Sequence, residues 1–361
     1  MEKKTKVLIG LLIIIILACA GVVAYKIYKD KIENKNFGQE NTEVINNTVD
    51  EPLEVEVKTV QTFKGDERPI AVMIDNHKAA LPQDGLNNAY MVYEIIVEGG
   101  ESRLMALFKG QNLEKIGPVR SSRHYFLDYA LENDAIYVHY GWSPQAQYDI
   151  SNLGVNNING ISESESSFWR VKDKRAPHNV ATSTAKILSI AERKGYKTTS
   201  TKKSVLNYVT DEVELTDGQN AEKITIPYSY SNDVEYTYDA TTKRYQRYSK
   251  GVKETDWSTG ENVTTKNIII TFAKNSVLND GENKDRQTLS NVGTLNGYYI
   301  TNGKAIKITC EKTSRSAQTV YKDLDGNEIK VNDGNTYVQI CPINAKVTIE
   351  GAEETVTEDV D

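Results

Sequence analysis

Hydrophobic and polar positions divide the chain into an apolar N-terminal segment, a polar segment and two regularly patterned regions. The apolar segment runs without interruption from Val7 to Tyr25 and has lysines on both sides. At about 1.5 Å per residue, one helix of this length crosses a hydrocarbon core of about 30 Å. The apolar residues continue past the small residues at which a secretory signal would normally be cleaved. We therefore predict a single uncleaved transmembrane helix within residues 1–28, with the bulk of the chain outside the cytoplasm.

Residues 29–65 are polar and show neither a helical nor a strand period, which indicates a stalk. Regular patterning begins at residue 66, where short apolar runs alternate with capped helical segments. The run IAVMI at 70–74 is typical of a strand buried on both faces. Ser143, followed by a proline, and Thr182 or Ser183 are helix-start signals. This interleaving predicts an α+β or α/β domain with a mixed sheet over residues 66–212.

An alternating segment that begins at Tyr90 places Glu94 and Glu98 on the same face of a strand. The double glycine that follows turns the chain into a second strand, which gives a hairpin. Arg103 lies almost directly across this hairpin from Glu98, so a cross-strand ion pair accounts for both residues. The two glutamates are also candidates for acid–base catalysis.

The motif IGPVRSSRH precedes a helix that Ser121 or Ser122 can cap and that runs to about Glu132. Arg120 and Arg123 stand at the predicted start of this helix. Guanidinium groups beside free backbone N–H groups make a site for a carboxylate or a phosphate. A solvated helix end explains the same residues.

Two further motifs carry polar residues at the ends of predicted elements. His139 leaves a strand in VHYGWS, and ligands collect at such strand ends, although a core histidine with one hydrogen bond fits the motif as well. Arg175, His178 and Asn179 lie in the turn-rich segment WRVKDKRAPHN. So many hydrogen-bonding groups in one long loop favour a binding role.

From Lys223 onward the sequence contains only strand-like runs, and Asn302-Gly303 and Asp325-Gly326 are hairpin-turn signals. We predict a smaller all-β domain over residues 220–350, with many exposed tyrosines. An acidic tail at 351–361 is expected to stay loose.

Charge and cysteine content narrow the class of protein. The net charge of -7 argues against a nucleic-acid surface, so no nucleic-acid partner is expected. Cys19 stands where a lipid-modified cysteine would stand, yet the apolar residues after it favour a plain helix residue. Cys310 and Cys341 lie in predicted strands, and they either pair in an oxidising compartment or remain buried thiols.

The common catalytic and cofactor motifs are missing from the sequence. It contains no G-x-S-x-G elbow, no phosphate-cradling G-x-x-x-x-G-K-[ST] loop and no H-E-x-x-H pair. His77, His139 and His178, with Asp75, carry no metal-ligand spacing. We therefore predict no metal and no cofactor.

Taken together and in this order, the motifs resemble the YerB-like family of bacterial membrane- or lipid-anchored proteins of unknown function. The resemblance covers about residues 66 to 345 and rests on RPIAVMIDN, YEIIVEGGESR, IGPVRSSR, HYGWS, RAPHN, GYYITNGKAIKIT and GNTYVQICP. It implies an N-terminal mixed domain joined to a C-terminal β domain on the outer side of the membrane. A tryptophan is usual in the family where this chain has Cys310. The family's motif residues correspond here to Glu94, Glu98, Arg103, Arg120, Arg123, His139, Arg175, His178 and Asn179.

Two functions fit these observations. The first is a tethered cell-envelope module that binds an anionic group or a cell-wall polymer. Its ligand-binding residues would be Arg103, Arg120, Arg123, His139, Arg175, His178 and Asn179. The second is a hydrolase or transferase of an envelope polymer, with Glu94 or Glu98 and His139 or His178 as an acid–base pair. We expect the chain to contact the membrane through its N-terminal helix. The sequence does not indicate a protein partner.

Overall fold

The computed structural model describes residues 58–351. The predicted anchor, Cys19, the stalk up to residue 57 and the tail beyond residue 351 lie outside this range. Within residues 58–351, no helix is both long enough and apolar enough to cross a membrane.

The first half of the described chain alternates strands with three short α-helices, as the capping signals indicate. Ser143 caps the second helix by accepting from the N–H of Ala146, and Ser183 caps the third by accepting from Lys186. The elements are β1 Ile70–Asp75, β2 Met91–Ile96, β3 Ser102–Phe108, α1 Phe126–Glu132, β4 Ile136–His139, α2 Pro144–Asn152, β5 Asn157–Asn159, β6 Trp169–Arg170, β7 Val180–Ala181, α3 Thr184–Arg193 and β8 Tyr208–Val209.

The second half contains strands and turns within the described residues, in agreement with the predicted all-β character. Its elements are β9 Gln219–Asn220, β10 Lys223–Ser229, β11 Asn232–Asp239, β12 Arg244–Ser249, β13 Val252–Lys253, β14 Thr264–Thr265, β15 Asn267–Val277, β16 Gln287–Ser290, β17 Gly293–Thr301, β18 Lys304–Lys312, β19 Val320–Lys322, β20 Val331–Asn332, β21 Thr336–Pro342 and β22 Thr348–Glu350. Asn302 and Gly303, both at positive φ, form the turn between β17 and β18 as predicted.

A mixed central sheet joins the two halves. Its strand order is β19-β18-β17-β15-β21-β2-β3-β1-β4-β5, and β16 and β9 pair at its side. Strand β2 pairs in parallel with β21, in the register Tyr93↔Val338, and antiparallel with β3. The sequence separates into a mixed half and an all-β half, but the central sheet contains strands of both. The two halves meet where β2, from the first half, pairs with β3 on one edge and with β21, from the second half, on the other.

A smaller six-stranded sheet belongs to the second half alone, in the order β13-β12-β11-β10-β22 with β14 beside β12. Its apolar side chains, including Ile224 and Tyr236, share one core with Val72 of β1 and Ile187 of α3. Helices α1 and α2 contribute to the second core, with Met73 of β1. Successive residues of β1 thus face opposite cores, which explains its unbroken apolar sequence.

Helix α1 begins later than the sequence indicates. Residues 121–125 are not helical, and Tyr125 rather than a serine precedes the first turn. Ser122 instead donates its backbone N–H to Gly141 and forms a bridge with Trp142. Arg120 and Arg123 therefore do not lie at a helix start, and the predicted anion site at free helical N–H groups is wrong.

The two cysteines of the second half are free and buried. Cys310 on β18 and Cys341 on β21 are three strand positions apart, about 14 Å at the usual strand spacing. They also belong to different cores. A disulfide is therefore excluded by distance and direction, and the alternative of two buried thiols is correct. Burial raises the pKa of Cys310 to about 12.

The tyrosines of the second half were expected to be exposed, and most of the strand tyrosines are not. Tyr236, Tyr245, Tyr299 and Tyr337 are completely buried. Most of their phenol groups have hydrogen-bond partners in the interior: Tyr245, for example, donates to the carbonyl of Ala221 at 3.1 Å, whereas the hydroxyl of Tyr337 has none among the described residues. Tyr236, Tyr245 and Tyr337 lie in the core that the two sheets share, and Tyr299 lies in the second core.

Candidate functional site

The carboxyl end of β1 carries the polar cluster around which we build the site. Asp75 ends this buried strand and is itself only 3% exposed. Segment 118–120 runs beside it, because Asp75 donates its N–H to Pro118 and Arg120 donates to Met73. The side chain of Arg120 is thereby brought to Asp75, with Nε 3.3 Å from Oδ2.

His178 reaches the same carboxylate from the loop between β6 and β7. Its Nδ1 lies 2.7 Å from Oδ2 of Asp75, and the ring of His77 stacks on it at a centroid distance of 4.3 Å. His77 accepts the N–H of Ala79 at Nδ1. Because Asp75 accepts from Nδ1 of His178, Nε2 carries the lone pair of the neutral ring or the second N–H of the imidazolium. Within residues 58–351, this Nε2 has no hydrogen-bond partner.

Arg120 is the cation of this cluster with spare donors. Its side chain is 24% exposed, and it contacts Asp75 through Nε. Among the described residues, no hydrogen bond involves its two terminal nitrogens. A guanidinium with two free N–H groups beside an oriented imidazole can hold one phosphate or carboxylate through several charge-assisted hydrogen bonds.

Arg103 and Arg123 are both paired with Glu98. Glu98 accepts from Arg103 at 3.0 Å and from Nε of Arg123 at 2.8 Å, and Arg123 makes a second contact through Nη2. Burial favours the neutral carboxyl, but Arg123 and Arg103 outweigh it and lower the pKa of Glu98 to about 2. A carboxylate that stays ionised in this way is a poor general acid. Burial, together with the charge of Arg123, lowers the pKa of Arg103 to about 10.

Asn179 fixes the loop on which His178 lies through side-chain hydrogen bonds. The amide of Asn179 accepts from Arg170 at 2.7 Å and donates to the carbonyls of Val171 and Lys174. Asn179 is thus a positioning residue, which differs from the predicted ligand contact. Arg175 lies on this loop and is exposed.

His139 is buried rather than part of the cluster. It is completely inaccessible, with Nδ1 2.8 Å from the carbonyl of Gly141 and Nε2 3.2 Å from Asn157. Burial lowers the pKa of His139 to about 4, although both hydrogen bonds oppose this effect. The structure agrees with the core-histidine interpretation, so His139 is not available to a ligand or as a catalytic base.

Glu94 is buried in a separate charged group with Arg247 and Glu254. Arg247 lies 2.7 Å from Glu94 and 3.1 Å from Glu254, and all three side chains are no more than 1% exposed. Burial raises the pKa of Glu254, although Arg247 opposes this. Glu94 also accepts from Asn76 and Ser102. It is therefore a structural anion between the sheets rather than a catalytic acid.

Trp257 is a neighbour of the cluster that sequence reasoning missed. Its backbone N–H donates to the carbonyl of Gln83 at 2.8 Å, and the side-chain amide of Gln83 donates to the backbone carbonyl of Asp75 at 3.2 Å. Asp256 holds the turn by accepting from the N–H of Ser258. The local sequence DWSTG is a signal for such a turn, but not for its position beside β1.

Two cavities of the described chain lie away from this cluster. One of about 470 Å³ is lined by residues of β1, β3 and α3, and one of about 580 Å³ by His124, Asp128, Asp149 and Arg315 among others. In the second, Arg315 contacts Asp128 and Asp149 at 2.7 Å each. Its third nitrogen donates to the carbonyl of His124, so all three nitrogens of the guanidinium have partners within the protein.

Residues 58–351 contain no group of three or more histidine, cysteine, aspartate or glutamate side chains that could hold a metal ion. The Asp75–His178 cluster supplies one carboxylate and two imidazoles that lie face to face. Stacked rings direct their nitrogen lone pairs side by side rather than towards one point, so the residues present do not fit a metal.

The fold and the site together define a two-part protein with a mixed central sheet and a basic, histidine-containing cluster at one strand end. Residues 57–197 match the family model "Protein of unknown function (DUF3048) N-terminal domain", and residues 224–338 match the corresponding C-terminal domain. This chain belongs to the DUF3048 family, which includes the YerB-like proteins, as its motifs predict.

A curated relative and a solved structure support this assignment. "Putative lipoprotein YerB" of Bacillus subtilis (strain 168) is 33% identical over 283 residues, which cover 76% of this chain and 81% of the relative. The crystal structure of the YerB protein from Bacillus subtilis is 32% identical, with a TM-score of 0.70 over 78% of this chain and 94% of that chain.

Proposed function

We propose that this protein is a cell-envelope binding protein that captures an anionic group of an envelope polymer at the Asp75–His178–Arg120 cluster. The observation that carries the proposal is the pair of unengaged groups at this point. These are the terminal nitrogens of Arg120 and the Nε2 of His178, both oriented by one buried carboxylate. The guanidinium N–H groups of Arg120 donate to the bound oxyanion, and Nε2 of His178 either donates to it as the imidazolium or, in the neutral ring, accepts from a hydroxyl of the ligand. Because both groups are preoriented, they lose little freedom on binding.

The proposed location rests on the apolar run at Val7–Tyr25 and on the name of the B. subtilis relative, a putative lipoprotein. Both a signal anchor and a lipid at Cys19 would attach the chain to the membrane. Either attachment would leave the site on the outer side of the membrane, where anionic wall polymers and peptide carboxylates are the available ligands.

The test compares Arg120→Ala with Arg193→Ala in the full chain. Both variants remove one ion-paired surface arginine, because Arg193 contacts Glu163, but only Arg120 belongs to the cluster. We expect Arg120→Ala to weaken binding to purified cell walls and to orthophosphate by at least about tenfold, the effect of one charge-assisted hydrogen bond. Equal losses in the two variants, or no loss with Arg120→Ala, would refute the proposal.

A second candidate function is hydrolysis or transfer on an envelope polymer. The glutamate–histidine pairs considered from sequence are replaced here by Asp75 and His178, whose 2.7 Å contact is that of a carboxylate orienting a general base. His178 would activate water or an acceptor hydroxyl through Nε2, and Arg120 would stabilise the developing charge. Release of soluble fragments from purified walls by the wild type, but not by His178→Gln, would favour this candidate. Equal release by both would eliminate it.

A further inference from the structure

Trp257 lies against two ammonium groups. Lys115 Nζ is 3.9 Å and Lys174 Nζ is 4.2 Å from the centroid of its ring. Such contacts are typical cation–π interactions, for which the indole ring is the best partner. Each lysine is also held elsewhere, Lys115 by Asp84 at 2.9 Å and Lys174 by the carbonyl of Leu81 at 2.9 Å. Two positive charges are therefore fixed beside one half-buried aromatic ring.

This patch is continuous with the Asp75–His178–Arg120 cluster. The buried Gln83 accepts the backbone N–H of Trp257 and donates its side-chain amide to Asp75, so a single residue connects the two. Lys174 belongs to the same loop as His178, and a backbone hydrogen bond from His178 to Arg175 fixes their relative positions. A ligand held by Arg120 and His178 would extend over this patch.

The two ammonium groups of the patch differ in their counter-charges. Burial lowers the pKa of Lys174, Asp173 opposes this, and the nearby charge of Lys115 lowers it further. Lys115 has its own carboxylate in Asp84, whereas the ammonium of Lys174 is hydrogen-bonded to a neutral carbonyl. An anion placed here would relieve the repulsion between the two ammonium groups.

We infer that Lys115, Lys174 and Trp257 form a second anion subsite next to the first, and that the ligand is a phosphodiester polymer of sugar or polyol units. The inference rests on the proposed function and gives its ligand class. One phosphate would lie at Arg120 and His178, and the next at the lysines. The carbon atoms between the phosphates would pack against the exposed part of the indole ring.

The test uses the full chain and the double variant Lys115→Gln/Lys174→Gln, with orthophosphate and poly(glycerol phosphate) as probes in calorimetric titrations. In this variant orthophosphate still binds at Arg120 and His178, so its affinity for that subsite should stay within about twofold of the wild type. The polymer contacts both subsites, so its affinity should fall by about tenfold or more. The matched control is Lys186→Gln/Lys253→Gln, which removes the same charge from exposed positions outside the patch.

The outcomes separate the inference from the proposed function. Equal polymer affinity of the Lys115/Lys174 variant and the wild type, while Arg120→Ala still weakens binding, would overturn the second subsite alone. Equal losses in the two lysine variants would overturn it too, because the effect would then be general charge. If Arg120→Ala also has no effect, the proposed function fails as well. Trp257→Phe offers a second readout: because Trp142 and Trp169 remain, the change in tryptophan emission on polymer binding should be smaller in this variant than in the wild type, and an equal change would contradict a contact with Trp257.

Discussion

Two charged groups of this molecule differ in their access to water. The difference distinguishes charges that only stabilise the fold from charges that are accessible to a ligand. Around Arg247, two carboxylates and one guanidinium are buried between the sheets. Around Asp75, a buried carboxylate orients the partly exposed side chains of Arg120 and His178. The first group can bind nothing, because no ligand reaches it. The second keeps free donors at the surface, which is what a binding site requires.

The contrast also explains why charged motif residues alone are poor guides to function. Glu94, Glu98 and Arg103 resemble site residues in the sequence, yet each is paired inside the protein. Burying a charge is tolerated only when a partner or several hydrogen bonds accompany it. A charged residue must therefore have unengaged atoms as well as exposure before it is assigned to a ligand.

Removing the central cation of the buried group should have the largest effect. Arg247→Met leaves Glu94 and Glu254 buried without their counter-charge, so we expect a loss of about 3–5 kcal/mol in the free energy of unfolding. Urea denaturation measures this value. The triple variant Glu94→Gln/Arg247→Met/Glu254→Gln removes all three charges and should recover most of the loss. A single variant as stable as the wild type would show that the buried charges are not coupled.

His139 should give the next largest effect, and one that depends on pH. Its folded-state pKa of about 4 lies below the ordinary value of 6.5, so its contribution to stability is complete above pH 6.5 and is lost as the pH falls towards 4. The contribution reaches about 3 kcal/mol at most. The difference in unfolding free energy between the wild type and His139→Gln should therefore shrink over this range. A difference independent of pH would contradict the burial argument.

Glu98, a partly exposed carboxylate paired with two arginines, tests the effect of such pairing in a lower pH window. Its pKa is lowered from 4.5 to about 2, so its stabilising contribution is present above pH 4.5 and is lost as the pH falls towards 2. Because the side chain is 27% exposed, we expect about 2 kcal/mol after allowance for screening. Unfolding of the wild type and of Glu98→Gln at pH values from 5 to 3 should converge. Parallel curves would argue against the Arg103–Glu98–Arg123 pairing.

Arg120→Ala should have the smallest effect on stability. Its contact with Asp75 is a partly exposed ion pair at 3.3 Å, and such pairs contribute less than about 1 kcal/mol. Thermal and urea unfolding should barely change, even though the binding measured in the same samples falls. A destabilisation as large as that of Arg247→Met would place Arg120 with the structural charges instead.

Local features of the sequence predict local features of the structure well. The apolar run of β1, the serine caps of α2 and α3, and the turn at Asn302-Gly303 all follow from short-range chemistry. Ser122 is an exception: it was predicted to cap a helix, but its backbone N–H donates to the carbonyl of Gly141 in a neighbouring segment. This tertiary hydrogen bond overrides the local preference of a serine for the start of a helix.

The site depends on contacts that sequence patterns do not encode. Asp75 and His178 are 103 residues apart, and Glu94 and Arg247 are 153 apart. The histidine of the cluster was singled out, but its carboxylate partner was considered only as a metal ligand. Trp257 was not considered, because no local pattern relates a turn in the second half to the end of β1.

The parallel pairing of β2 with β21 has a consequence for how the chain acquires its structure. A chain emerging N-terminus first completes β3 and β1 early, but the other edge of β2 finds its partner only when residues 336–342 are available. Until then an apolar strand edge, from Met91 to Ile95, is open to other chains. Its pairing spans most of the described sequence, which makes it a slow step. Chains truncated before β21 should therefore self-associate rather than yield a soluble first half.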